Sequence, residues 1–382
     1  MFYRDTWAEI DLDRIFHNVS QIKAHSGLEY LFAVVKANAY GHGDVEVART
    51  ALEAGATHLA VALLDEAIHL RRAFEQTPIL VMGPIRVEDI GVAAKLNIAI
   101  TAHDLDWVEA AAGYQGEKEA EGESAPVDIH IKLDTGMNRI GMRQQHQFAE
   151  ACRLLRSNSA FNLCGLFTHF ATADGDETIY QQQLENFDRL TRDTDLGQFE
   201  LIHQSNSAAM LRHARQSCCN AGRLGIAMYG LPPSDDLQLP FELQQAFSLH
   251  TRITQVKAIT TGDKVGYGAT YQADCDQHVA TLPVGYADGW LRYHQDREIE
   301  ISGKRFPLIG RICMDQSMIR VDANITAGTQ VTLLGDLITV TDAANDLNTI
   351  NYEITCSISE RVPRLYKRHG EMISQRNDRF QL

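Results

Sequence analysis

Lys36 closes an apolar run, Tyr30 to Val35, that reads as a strand buried on both faces. A loop of Asn38, Tyr40, Gly41, His42 and Gly43 follows, and a helix begins at Asp44. A lysine at the end of a buried strand loses hydration. That lowers the amine's pKa and makes it a nucleophile or base at neutral pH. This is the chemistry of a Schiff-base lysine. The plainer alternative is a lysine at a sheet rim with its ammonium in water. More polar residues recur at the ends of later apolar runs. Lys132, Asp134, Thr135, Gly136 and Arg139 follow one, and His169 follows the next. Asn206 and Ser207 follow a third, and Gly222, Arg223, Gly225 and Ile226 surround a fourth.

The elements that must hold these residues alternate. Strands are expected at Tyr30–Lys36, His58–Leu64, Pro78–Met82, Ile98–Thr101, Val127–Leu133, Leu163–Phe167 and Phe199–Ile202, with a last apolar piece from Gly225 to Tyr229. Helices are expected between them, from Asp44–Ala54 through Ser207–Arg215, and one before them, Asp11 to His25. Eight βα units close a (β/α)8 barrel, a TIM-type fold; a doubly wound open sheet is the alternative. Barrel chemistry sits at the C-terminal ends of the strands, and the polar residues above fall there. Barrels also bind phosphate with the loops after strands seven and eight, where Ser207, Gly225 and Ile226 stand. A Schiff-base lysine beside a phosphate cradle suggests pyridoxal phosphate, PLP. Each residue also has a plainer role: Ser207 as a helix cap, Gly225 as a turn, His169 as a packed core histidine. The other histidines, His42, His203 and His213 among them, show no metal-binding spacing and read as structural.

After Leu231-Pro232-Pro233 the pattern changes to short β-like runs, giving a mostly-β second domain. The runs are Leu249–Ile259, His278–Pro283, Glu298–Ile301, Met318–Val321, Gln330–Leu334 and Leu337–Val340, with helical character from Leu347. The Glu- and Gly-rich stretch Gly113 to Pro126 reads as a solvated insertion without a fold of its own. The chain has 382 residues, 45% of them hydrophobic, enough for a large core. A net charge of −15 argues against nucleic-acid and anionic-membrane binding. No apolar run approaches a membrane span and no signal-peptide pattern opens the chain, so a cytoplasmic protein is expected. Seven scattered cysteines read as reduced thiols. The vicinal Cys218-Cys219 pair lacks partners at zinc spacing.

At this point the chain resembles the alanine racemase family of PLP enzymes. The likeness rests on Ala8-Glu9-Ile10-Asp11-Leu12, Val35-Lys36-Ala37-Asn38-Ala39-Tyr40-Gly41-His42-Gly43 and Lys132-Leu133-Asp134-Thr135-Gly136-Met137-Asn138-Arg139. It continues through Thr168-His169-Phe170, Asn206-Ser207, Arg223-Leu224-Gly225-Ile226, Val265-Gly266-Tyr267-Gly268, Gly285-Tyr286, Arg311-Ile312-Cys313-Met314-Asp315 and Ile350-Asn351-Tyr352-Glu353. Asn138 stands where the family often has glycine.

The resemblance implies a PLP-binding barrel over residues 1–240, with residues 1–10 packed on the β domain. The β domain, residues 241–382, would contribute to the partner's active site in a homodimer. It implies that Lys36 holds PLP and serves as one base, and that Tyr267 of the opposite chain is the other. Racemisation needs a proton removed from one face and returned to the other. The family links Tyr267 through His169 to Arg223, and Arg223 would face the pyridine nitrogen. Arg139 would contact PLP and substrate. Tyr40, Asn206, Ser207, Gly225, Ile226 and Tyr352 would hold the cofactor, and Met314 the substrate carboxylate. Tyr286 and Tyr352 would narrow the entrance, with Asp174, Arg292, Arg311 and Ile350 further out. Lys132 either is carbamylated, an N6-carboxylysine, or stays an amine paired with Asp134. The implied activity is interconversion of L- and D-alanine, supplying peptidoglycan synthesis, with no metal. A serine or broader-specificity racemase is the nearest alternative. A non-catalytic PLP carrier lacks the β domain, and a PLP-free aldolase gives Arg223 no role.

Overall fold

The computed structural model describes residues 3–120 and 126–378. It divides into two compact units: residues 16–39 with 47–243, and residues 1–15, 40–46 and 244–382.

The first unit is a barrel. Its eight parallel strands are Tyr30–Val34, His58–Val61, Ile79–Val81, Ile100–Ala102, Val127–Lys132, Phe161–Phe167, Leu201–His203 and Ala221–Leu224. They neighbour one another in chain order, and the last pairs with the first, Leu31 opposite Gly222. The ladder is thin between the seventh and eighth, which share the single pair His203 and Ala221, and thinnest between the third and fourth. There Val81 N–H donates to Ala99 O and Ala99 N–H to Ile79 O, both at 2.9 Å, and the ring closes. That closure rules out the open sheet.

The eighth strand lies earlier than its apolar pattern suggested. Ala221–Leu224 is the strand, and Ile226–Tyr229 is a 3-10 turn. Gly222 and Arg223 broke the hydrophobic run. Inside a closed barrel, however, a strand side chain can point to a polar interior. The expected insertion also departs from its reading: a helix, Leu105–Ala120, runs through its first part. Glu117, Lys118, Glu119 and Ala120 are all strong helix formers. Residues 121–125 lie outside the described residues.

The second unit carries a seven-stranded sheet and a three-stranded sheet. Thr6–Asp11 is a central strand of the larger sheet, antiparallel to Phe247–Arg252 and parallel to Arg364–Arg368. Leu337–Val340 is not a strand. Thr339 caps the helix Val340–Asp346, its hydroxyl accepting from Asp342 N–H while the Asp342 carboxylate takes the Thr339 N–H. After the helix Asn351–Ser357 the chain returns as the hairpin Arg364–Arg368 and Glu371–Arg376.

The barrel interior is unusually polar. Phe32 and Phe167 flank His203, with ring centres 4.8 and 4.7 Å away, and Phe32 also packs on His58. Burial pushes the His58 pKa down to about 4. Burial, helped by the charges of His58 and Arg223, takes His130 down to about 3. Free imidazoles titrate near 6.5, so below that pH the unfolded chain binds more protons than the folded one. Stability is therefore full above about pH 6.5 and declines toward pH 3. Urea midpoints should fall between pH 7 and 4, and His58→Phe should flatten the fall; a flat wild-type profile would contradict neutral burial.

Candidate active site

Lys36 begins a turn that L-amino acids avoid. Ala37, Asn38, Ala39 and Tyr40 all have φ between 51° and 53°, a run of left-handed backbone with no glycine in it. Each such residue costs about 1–2 kcal/mol, so something must hold the turn. Glu66 does. One carboxylate oxygen accepts the Ala37 N–H at 2.6 Å, and the other accepts Ala62 N–H at 2.9 Å and Leu63 N–H at 3.1 Å. One side chain thus ties the lysine's turn to the loop after the second barrel strand. Sequence reading missed Glu66; the signal available was a glutamate at the third position of a helix.

Around the barrel's other strands the remaining residues take their places. Lys132 ends the fifth strand, buried, its ammonium donating to Leu133 O at 2.6 Å. Burial is the main cause lowering its pKa to about 7, reinforced by Arg223 and Arg139 against the pull of Asp134. No ion pair joins Lys132 to Asp134. The aspartate instead accepts the backbone N–H of Gly136 at 3.1 Å and of Asn138 at 2.9 Å, which shapes the loop carrying Arg139. Asn138 sits at φ 58°, where glycine or asparagine is tolerated, and this explains the departure from the family's glycine.

Arg223 is buried inside the barrel. Its Nη1 donates to His203 O at 2.6 Å and to His203 Nδ1 at 2.8 Å. Its Nη2 donates to Thr168 O at 2.6 Å, with His169 Nδ1 and Gln204 O each 3.2 Å away. Among the described residues no protein acceptor takes the Nε–H. Burial lowers the guanidinium to about 9, which still leaves it charged at neutral pH. Burial and that positive charge together hold His169 and His203 well below their ordinary pKa. His203 therefore belongs to the polar cluster around Arg223.

Ser207 opens the short helix Ser207–Arg212, with Asn206 as its cap through Ala209 N–H at 3.0 Å. The Ser207 hydroxyl accepts from Gly225 N–H at 2.9 Å, which locks the loops after strands seven and eight together. The first N–H groups of this helix and of the turn at Ile226 lack intrahelical acceptors.

Tyr40 and Tyr352 belong to the second unit, their rings 5.9 Å apart. In that unit Tyr267, Met314 and Tyr286 are large apolar-bodied residues left exposed, Tyr267 at 73%. Tyr286 N–H donates to Cys313 O and Ala287 N–H to Met314 O, so Tyr286 and Met314 share one surface. Gly268, beside Tyr267, abuts the Arg311 guanidinium; a Cβ there would lie 3.0 Å from Nη1. The seven cysteines are free thiols, and no cluster of three or more metal-ligating side chains occurs among the described residues. Nor is any helix among them long and apolar enough to cross a membrane.

Glu66→Gln replaces one acceptor oxygen with a donor. It should cost about 1.5–3 kcal/mol in urea unfolding and speed amide exchange at Ala37. Unchanged exchange would show that another group holds the turn.

A family model for the alanine racemase N-terminal domain matches residues 10–233, and one for the alanine racemase C-terminal domain matches residues 246–366. The alanine racemase of Anoxybacillus flavithermus is 47% identical over 392 residues, covering 98% of each chain. The crystal structure of alanine racemase from Bacillus anthracis with bound L-Ala-P superposes with a TM-score of 0.91 at 43% identity, covering 99% of this chain and 98% of that one. Histidine racemase from Leuconostoc mesenteroides superposes with a TM-score of 0.90 at 29% identity, covering 96% and 99%.

Proposed function

The chain belongs to the alanine racemase family, and from that membership we propose that it interconverts L- and D-alanine with PLP as cofactor. The observation that supports this best is Arg223: a buried guanidinium with its Nη protons taken and no protein acceptor at Nε. A pyridine nitrogen is a fitting acceptor for that remaining N–H. The phosphate would fit the Ser207 and Ile226 N–H groups, which lack intrahelical acceptors, beside Asn206 and Gly225; the family pattern adds Tyr40 and Tyr352 as hydroxyl donors. When bound, PLP supplies the electron-withdrawing system that acidifies the substrate's α-C–H.

The chain's own residues do the rest. Lys36 anchors the cofactor covalently and exchanges a proton on one face of the substrate carbon. Tyr267 of a second copy exchanges the proton on the other face, as inversion requires. The exposure of Tyr267, Tyr286 and Met314 on one chain supports this shared, dimeric site. Met314 supplies a backbone N–H to the substrate carboxylate, and Arg139 a charged donor. Arg223 keeps its proton at neutral pH, so there it orients without titrating. Two domains, divided in the sequence near residue 240, share these tasks, with residues 1–15 and 40–46 grouped with the second. Tyr286 and Tyr352 narrow the entrance toward alanine. A histidine racemase of the same fold supports a reading in which side chains, and not the fold, set substrate choice. We place the reaction in the cytoplasm, feeding D-alanine to peptidoglycan.

L-alanine in D₂O should lose its α-proton NMR signal while D-alanine appears. Tyr267→Phe should slow exchange starting from L-alanine far more than from D-alanine. Equal small effects would remove Tyr267 as the second base, and no exchange at all would remove the alanine reading.

Lys132 fits an N6-carboxyl group. A neutral amine adds to carbon dioxide with release of one proton, and a pKa near 7 supplies neutral amine. Arg139 and Arg223, whose charges disfavour the ammonium, would favour the resulting anion. With labelled bicarbonate, a carbamate resonance should be present at pH 8 and weaken at pH 6. Its absence at pH 8 would leave Lys132 a free amine.

A further inference from the structure

Two imidazoles inside the barrel have no part in the reading above. His203 lies on the seventh strand and His130 on the fifth, both buried. Their rings meet nearly edge to face, with His130 Nδ1 2.9 Å from His203 Nε2. The other nitrogen of His203, Nδ1, lies 2.8 Å from Arg223 Nη1.

Hydrogen-bond bookkeeping fixes the protons along this chain. A guanidinium only donates, so His203 Nδ1 must be bare. A neutral His203 then carries its proton on Nε2 and donates it to His130. His130 Nδ1 is therefore bare too, and its proton sits on its own Nε2. The same logic applies above the arginine: His169 Nδ1 faces Arg223 Nη2, so the His169 proton sits on Nε2, directed away from Arg223. Burial and the nearby positive charge keep all three rings uncharged.

The backbone is shaped for this arrangement. Between the fifth and sixth strands Ile129 opposes Leu163 and His130 opposes Gly165, which leaves Cys164 as a bulge. A Cβ on Gly165 would lie 2.0 Å from His130 Nδ1. The bulge and the glycine together make room for the ring that His203 needs as acceptor.

We propose that His203 and His130 are positioning residues for Arg223, a relay of fixed tautomers that sets the plane of the guanidinium and, through it, the donor side of His169. The proposal rests on the racemase reading only for what Arg223 and His169 then face. Without His130, His203 can move its proton to Nδ1, where it would oppose an Arg223 N–H and turn the guanidinium.

The test begins with the tautomers themselves. Imidazole nitrogen NMR on a chain labelled with ¹⁵N-histidine should show His203 and His130 protonated at Nε2 only, with and without added PLP. A proton on Nδ1 of His203, or an imidazolium at either ring at neutral pH, would overturn the relay without any variant. Two variants then read its effect. His130→Asn keeps an acceptor oxygen near the Nδ1 position, whereas His130→Leu removes it at similar size. The pyridine ¹⁵N resonance of bound PLP should be unchanged in His130→Asn and displaced in His130→Leu. For His130→Leu, kcat should fall about tenfold with KM for alanine within about twofold. A folded His130→Leu matching wild type in both readouts would also overturn the proposal. Correct tautomers in a chain that does not racemise alanine would refute the function and support the relay; wrong tautomers in an active enzyme would do the reverse.

Discussion

A positive charge buried inside the barrel governs the chemistry around it. Arg223 could not sit there unsolvated, because an unpaired buried ion costs several kcal/mol. The protein replaces its water with the carbonyls of His203, Thr168 and Gln204 and the bare nitrogens of His169 and His203. Those carbonyls are available because they stand at or near the ends of strands six and seven, where the parallel ladder stops. Burial, reinforced by that charge, then sets its neighbours' states. Imidazoles beside it must be neutral to accept, and the Lys132 amine loses much of its hold on its third proton. Burial and one ion thus act together on the protonation of the groups around it, and the barrel core accommodates them in place of branched aliphatic side chains.

A second constraint is conformational. The turn from Ala37 to Tyr40 stores strain that a glycine would relieve, yet none of the four is glycine. Glu66 offsets part of that strain with three charge-assisted hydrogen bonds. The result is a lysine whose backbone is defined by tertiary contacts and not by local preference. The turn ends at Gly41, in the second unit, where a Cβ would lie 2.1 Å from Thr355 O, so that glycine answers to packing as well as to its φ of 85°.

Much of this was legible in the linear chain. Seven barrel strands announced themselves as short apolar runs, and the polar residues at their ends marked the site before any coordinates. The eighth strand was misplaced because Arg223, the residue that matters most there, made it look unlike a strand. Thr6–Asp11 was invisible for another reason: it runs straight into a helix at Leu12, and its partners lie more than two hundred residues away. Thr339 and Asp342 did carry a readable capping signal, which an apolar reading of Leu337–Val340 overrode.

By itself, then, the sequence determined the order of elements, the residue types at the strand ends and the family motifs. Hydrophobic periodicity and motif spacing are local properties that survive without coordinates. The tertiary structure decided the rest: that Glu66 restrains the turn of Lys36, that Asp134 shapes a loop instead of pairing with Lys132, and that His130 and His203 stand in line behind Arg223. Protonation states and hydrogen-bond partners depend on burial and on distances of a few ångströms. Folding sets those between residues tens of positions apart, and no local pattern encodes them.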